Sequence, residues 1–185
     1  PPMFLAAMRV LCVFLFFFPF FKFKLPPSRL FLPLLGFSLS MGVCTYAFMY
    51  YALSFTSLVA PIVIGAQLAI PFGLILSLIF LNEKVSFFKW ILILTSFIGI
   101  IVIAYDPAFI DERAALIFCI LMAFFYASAN MMARYLNEVD TSVLNGWCNF
   151  FAFFPLLLGS IFLDGNTLSI ITELNLSTIL VILHA

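Results

Sequence analysis

The chain has 185 residues, 66% of them hydrophobic and 9% charged, against roughly 45–50% and about 25% in an ordinary soluble domain. A globule of this size buries only about 70% of the surface its unfolded chain exposes, so the surplus apolar side chains would face water as large patches, which argues against a soluble fold. Eight Lys/Arg balance eight Asp/Glu, which removes the basic footprint of a nucleic-acid binder. Cys12, Cys44, Cys119 and Cys148 all lie in apolar runs without a C-x-x-C pair, so neither a disulfide framework nor a zinc site is suggested, and no cofactor is expected.

A hydrocarbon core about 30 Å thick needs about 20 apolar residues at 1.5 Å rise each. Six complete runs of that kind cover roughly residues 3–21, 30–53, 58–81, 87–105, 114–133 and 143–163, and a seventh begins near Leu176. Nearly all other charges fall in the gaps. Phe14 to Phe18 and Phe87-Phe88 resemble strand formers, but a lipid-exposed strand needs a closed barrel with period-two alternation, which the sequence lacks. The expectation is an all-α polytopic membrane protein with six complete transmembrane helices and the start of a seventh.

Successive helices alternate direction, so the first, third and fifth gaps share a side. That side holds Lys22, Lys24, Arg29, Lys84, Lys89 and Arg134, and the other side only Arg113. The Lys/Arg excess marks the cytoplasmic side. Residue 1 is therefore expected outside, with the loops around 22–29, 82–89 and 134–142 cytoplasmic. The first run lacks the basic start and small-residue cleavage site of a secretory signal. An opening Pro-Pro and an end inside a hydrophobic run suggest a fragment of a longer protein.

Polar groups at membrane depth are costly, which makes them the first functional candidates. In the third run Gly65, Ala69, Gly73 and Ser77 recur every fourth residue, a small-residue stripe on which another helix can pack. Gln67 and Pro71, also four apart, lie on roughly the opposite face. Pro71 has no N–H, so the carbonyl of Gln67 is expected to lose its helical partner near mid-span. A neighbouring helix or water satisfies such a kink, or a solute uses it. Arg9 is a formal charge well inside a run, at an insertion cost of about 2.5–3.5 kcal/mol; it either serves a function or snorkels to the outer headgroups. No acid sits at comparable depth, so a carboxylate proton relay is not supported.

In the fifth run Tyr126, Asn130 and Arg134 follow one another at i, i+4 and i+8. They form either a polar line toward the cytoplasmic mouth or a set of interhelical hydrogen bonds with Arg134 anchoring the helix end. In the sixth run Asn145 and Asn149 are candidates for cavity lining. Tyr46 and Tyr50 share a face of the second run, Tyr46 deeper than an interfacial belt requires. Motifs for catalysis such as H-E-x-x-H, G-x-S-x-G and G-x-x-x-x-G-K-[ST] are absent, and an enzyme is not expected.

Several segments carry a resemblance. PPMFLAAMR at the start, YAFMYYALSFTS in the second run and GAQLAIPFGLILSLIFLNEKVSFFKW in the third, with its mid-helix proline and glutamate at the cytoplasmic end, resemble the EamA-type branch of the drug/metabolite transporter superfamily. ILTSFIGIIVIA is similar to that family's closing helix of a first repeat, and FFYASANMMARYL to the opening helix of a second. The resemblance implies a ten-helix carrier built of two inverted five-helix repeats. Residues 1–107 would be the remainder of the first (helices 2–5), and 108–185 the start of the second (helices 6, 7 and part of 8). Arg9, Gln67, Pro71 and Glu83 match recurrent family positions, with Glu83 and Arg134 read as structural or gating.

The function expected is secondary-active export, by alternating access, of small polar metabolites such as amino acids or cysteine-pathway derivatives across the bacterial inner (plasma) membrane. Arg9, Tyr46, Tyr50, Gln67, Pro71, Tyr126, Asn130 and Asn149 are the candidate substrate or pathway residues. Expected partners are the lipid bilayer, a small-molecule solute and a coupling ion such as a proton; a homodimer is compatible with the chain. The rival readings are a drug or multidrug efflux carrier, and a non-transporting membrane assembly partner, including an inactive truncated fragment.

Overall fold

The computed structural model describes residues 2–20, 27–56, 59–81, 86–104 and 113–164. Among them every regular element is helical. Helix α1 (Pro2–Phe17) ends in a single 3-10 turn at Phe18–Phe20, where Pro19 has no N–H to continue the ladder. The second run is one rod of 27 residues, Ser28–Ser54. It comprises α2 (Ser28–Phe37), a π-helical stretch (Ser38–Thr45) and α3 (Tyr46–Ser54). Pro33 lies early in α2, where its missing N–H deprives only the Arg29 carbonyl near the helix start. In the wider π turns Thr45 donates its hydroxyl to the Ser40 carbonyl, five residues back, at 2.7 Å.

The third run is two helices, α4 (Val59–Ala66) and α5 (Ala69–Leu81), separated at Gln67 and Leu68. Helix α6 (Phe87–Ala104) follows, then α7 (Arg113–Tyr135) and α8 (Thr141–Gly159), which a π turn extends over Ser160–Asp164. The Asp140 side chain starts α8 by accepting from the Ser142 N–H at 2.9 Å. Three helices among the described residues are long and apolar enough to cross a membrane: Ser28–Ser54, Arg113–Tyr135 and Thr141–Asp164. Pro2–Phe17, Ala69–Leu81 and Phe87–Gly99 are shorter apolar helices. The run beginning at Leu176 lies outside the described residues, as does Glu83.

Helix α7 is the hub, packed against α2, the π stretch, α3, α4 and α5. Beside it α1 lies along α8. Lipid tails are as apolar as leucine, so helices in a bilayer gain little by hiding apolar surface and associate through close packing instead. The α1–α8 seam has the side chains for that. Ala6, Ala7 and Val10 meet Ala152 and Leu156 with no exposed surface, and Tyr50 joins them from α3. Gly42, in the π stretch, comes so close to α8 that a Cβ built on it would collide with the Ala152 methyl. Helix α6 contacts mainly α5 and leaves Phe87, Phe88, Ile98 and Val102 exposed, as a lipid-facing helix would.

The small-residue stripe of the third run does not form one seam. The break at Gln67 separates Gly65 from the rest, and nothing among the described residues lies within 4 Å of a Cβ placed on Gly73. Two contacts mark the ends of the bundle. Arg29 pairs with Glu138 at 2.6 Å, which brings the first and fifth connections to one end. At the other, the Phe4 N–H near the start of α1 donates to the Asp164 carboxylate at 3.0 Å. Both agree with helices that alternate in direction.

Candidate functional site

A cavity of about 440 Å3 lies between α1, the π stretch, α3, the α4–α5 break and α7. Its lining comes from near the middle of each: Arg9 from α1; Met41, Thr45, Tyr46 and Met49 from the long rod; Ala66, Gln67, Ala69 and Ile70 from the break; Met122, Ala123 and Tyr126 from α7. The volume falls within the range of about 300–1,000 Å3 usual for small-molecule sites. The cavity thus brings together four of the residues singled out in the sequence, Arg9, Tyr46, Gln67 and Tyr126, from four separate runs.

The guanidinium of Arg9 sits over the Tyr46 ring, its central carbon 5.0 Å from the ring centroid. Such a contact contributes about 0.5–2 kcal/mol, depending on how dry the site is. Tyr46 is itself packed against the buried cluster at the α1–α8 seam, which backs the ring that meets Arg9.

Gln67 occupies the break, and its side chain is exposed to the cavity. Pro71 acts as the sequence suggests in one respect and differently in another. It supplies no N–H to the Gln67 carbonyl, but that carbonyl is not left unpaired, because the Ile70 N–H turns to it at 3.0 Å. The local backbone tightens to an i+3 bond, with the Leu68 N–H on the Gly65 carbonyl at 3.0 Å, and regular helix resumes when Phe72 bonds Leu68. The price of the proline is therefore met by a local change of helix type. What the break offers the cavity is the Gln67 amide, with the carbonyl's remaining lone pair.

The other candidates sit elsewhere. Pro71 is fully buried and Tyr50 is buried in the α1–α8 seam. Asn149 is buried and donates to the Asn145 carbonyl at 2.8 Å, while Asn145 donates to the Thr141 carbonyl at 3.0 Å, so both asparagines bond back to their own helix. Asn130 is exposed on α7 one turn past Tyr126, outside the cavity lining, and Arg134 lies in the last turn of α7, where its charge complements the helix dipole.

Sequence reading passed over the three methionines. Met41, Thr45 and Met49 are spaced by four along the rod, as are Met122 and Tyr126 on α7. That spacing was available, but in an apolar helix it does not say which face is inward. Among the lining residues none is phenylalanine. Many of the phenylalanines lie on the outside instead, Phe16, Phe80, Phe87, Phe88 and Phe162 each more than 60% exposed.

Neither a curated protein nor a solved structure matches the chain. A family model of the EamA-like transporter family matches residues 1–105, more than half of the chain. The chain is a multi-pass membrane protein and belongs to the EamA-like transporter family.

Proposed function

We propose that the protein is a secondary-active exporter of small carboxylate-bearing metabolites, amino acids or their cysteine-pathway derivatives, and that the 440 Å3 cavity is where the solute sits. The observation that carries this reading is the convergence of one cation, one amide and two phenols on a mid-depth cavity whose other walls are apolar except for Thr45, whose hydroxyl is given to the Ser40 carbonyl. Arg9 anchors the carboxylate, since a guanidinium matches it with paired N–H donors. Gln67 and Tyr126 bond the remaining polar atoms. Met41, Met49 and Met122 supply an adaptable apolar wall for the side chain of the solute, thioethers being flexible and polarizable.

The family match over residues 1–105 falls within the stretch read as the rest of a first repeat, residues 1–107. A ten-helix architecture of two inverted repeats then supplies the rocking that exposes a central site to each side in turn. In this reading the end of the bundle carrying Arg29 and Glu138 is cytoplasmic, by the excess of Lys/Arg in the first, third and fifth gaps. The rival drug-efflux reading rests on the 26 phenylalanines and six tyrosines as an aromatic cavity; Tyr46 and Tyr126 line it, and no phenylalanine does. The assembly-partner reading relied on polar side chains joining helices. Ser38, Thr45, Ser77, Thr95, Ser96, Ser128, Asn145 and Asn149 each donate to the backbone of their own helix.

The test is efflux of labelled cysteine-pathway metabolites from loaded cells expressing the intact protein. A hydrogen bond to a charged group contributes about 1.5–3 kcal/mol, so Arg9→Ala is expected to weaken handling of a carboxylate solute roughly 10- to 150-fold, and Gln67→Ala by less. Variants that match the wild type for every exported solute would show that the cavity is not the site.

A further inference from the structure

Arg9 and Tyr46 approach from different elements, the middle of α1 and the first turn of α3, and meet at the cavity wall. No described carboxylate pairs with Arg9; the Arg29–Glu138 ion pair lies at the end of the bundle and the Asp164 carboxylate takes the Phe4 N–H. A guanidinium at this depth needs compensation, and a protein can supply it in two ways. A carboxylate would neutralise the charge and occupy the N–H donors. An aromatic face attracts the cation through its quadrupole but brings no negative charge.

We infer that Tyr46 is the positioning residue for Arg9: its ring holds the guanidinium at the cavity wall without cancelling its charge, so that the solute carboxylate is the first anion the cation meets. The inference rests on the proposed carboxylate anchor and adds to it the group that keeps the anchor in place. The ring can do this because it is not free to follow a moving arginine. Tyr46 packs against the buried cluster of Ala6, Ala7, Val10, Ala47, Tyr50, Ala152 and Leu156, in which α1, α3 and α8 meet. Without the ring, a long flexible arginine snorkels toward headgroups and the cavity loses its preference for an anion.

The experiment measures affinity of the purified intact protein in nanodiscs for matched probes: cysteine, methionine and phenylalanine, each against its carboxamide. The readout is the acid-over-amide affinity ratio. Both ligands are measured on the same preparation, so a partly unfolded variant does not distort it. Tyr46→Phe keeps the ring and is expected to hold the ratio within about twofold. Tyr46→Leu removes the ring and is expected to lower the ratio on the order of tenfold, within the roughly 2- to 30-fold range of a cation–π contact. Tyr46→Glu places a carboxylate against Arg9 and is expected to abolish the acid preference.

A Tyr46→Leu ratio equal to the wild type overturns the role of Tyr46 while leaving Arg9 as the anchor. A Tyr46→Phe ratio as low as that of Tyr46→Leu also overturns it, by assigning the effect to the hydroxyl. A wild-type protein with no acid preference for any pair, or that binds none of the probes, overturns the carboxylate anchor itself and this role with it.

Discussion

Replacing Gly42 by alanine tests the bundle where a described glycine lies closest to a neighbouring helix. The added methyl would fall on the Ala152 methyl, with the Cys148 carbonyl oxygen at 3.4 Å and its sulfur at 3.5 Å. Ala152 cannot withdraw, because it is fully buried and backed by Ala6, Ala7, Val10 and Leu156. Accommodating the methyl means moving α8 off the π stretch, which loosens the α1–α8 seam as well. Overpacking of this kind costs about 1–3 kcal/mol. The better helix propensity of alanine, up to about 1 kcal/mol in water, offsets part of that, leaving a net loss of about 0–3 kcal/mol.

Steric origin has a signature that a general intolerance of substitution lacks. Ala152→Gly alone removes one buried methyl, at about 1 kcal/mol, and loses up to about 1 kcal/mol of helix propensity. Combined with Gly42→Ala it exchanges one methyl for another across the same contact. The double variant is expected to recover most of the Gly42→Ala loss, with a coupling of at least 1 kcal/mol. Reversible unfolding of the intact protein in bicelles, measured for the wild type and the three variants, gives the cycle. A double variant whose change is the sum of the two single changes would refute the packing described here.

Gly73 is the matched control. Nothing lies within 4 Å of its would-be Cβ among the described residues, so Gly73→Ala is expected to leave stability unchanged or to raise it by up to about 1 kcal/mol in the same assay. The Arg29–Glu138 pair is short, but its side chains are 70% and 64% exposed, and water and salt screen such pairs. Glu138→Gln is expected to cost less than about 1 kcal/mol, and the difference to shrink at high ionic strength.

The helices were legible because length and charge placement alone define them in a lipid-soluble chain. Runs drawn at 30–53, 87–105 and 114–133 lie within two residues of the helices found at Ser28–Ser54, Phe87–Ala104 and Arg113–Tyr135. Their internal irregularities were less so. Pro71 announced a disturbance at the Gln67 carbonyl, and the break does fall at Gln67 and Leu68; what it did not announce is that the chain repairs the loss by tightening there, with the Ile70 N–H on that carbonyl. The π stretch gave no such sign. Ser38 and Gly42, four apart, were a small-residue pair like the one noticed in the third run, yet the tight contact formed at Gly42 and not at Gly73.

The cavity was legible only in its polar members, for a physical reason. In water an apolar stripe marks the inward face of a helix, since the two faces meet different solvents. In a bilayer both faces meet hydrocarbon, so Met41, Met49 and Met122 on the cavity wall and Phe80, Phe87 and Phe162 on the exterior follow the same composition rule. A polar residue breaks that symmetry because burial without a partner is expensive for it. Even so, cost alone does not separate a group facing a cavity from one bonded to its own helix. Asn149 and Gln67 are both amides near mid-span, and only the backbone around them distinguishes them. Asn149 sits in continuous helix, where the Asn145 carbonyl is within reach of its side chain. Gln67 sits at the break between α4 and α5, and its amide faces the space beside Arg9, Tyr46 and Tyr126.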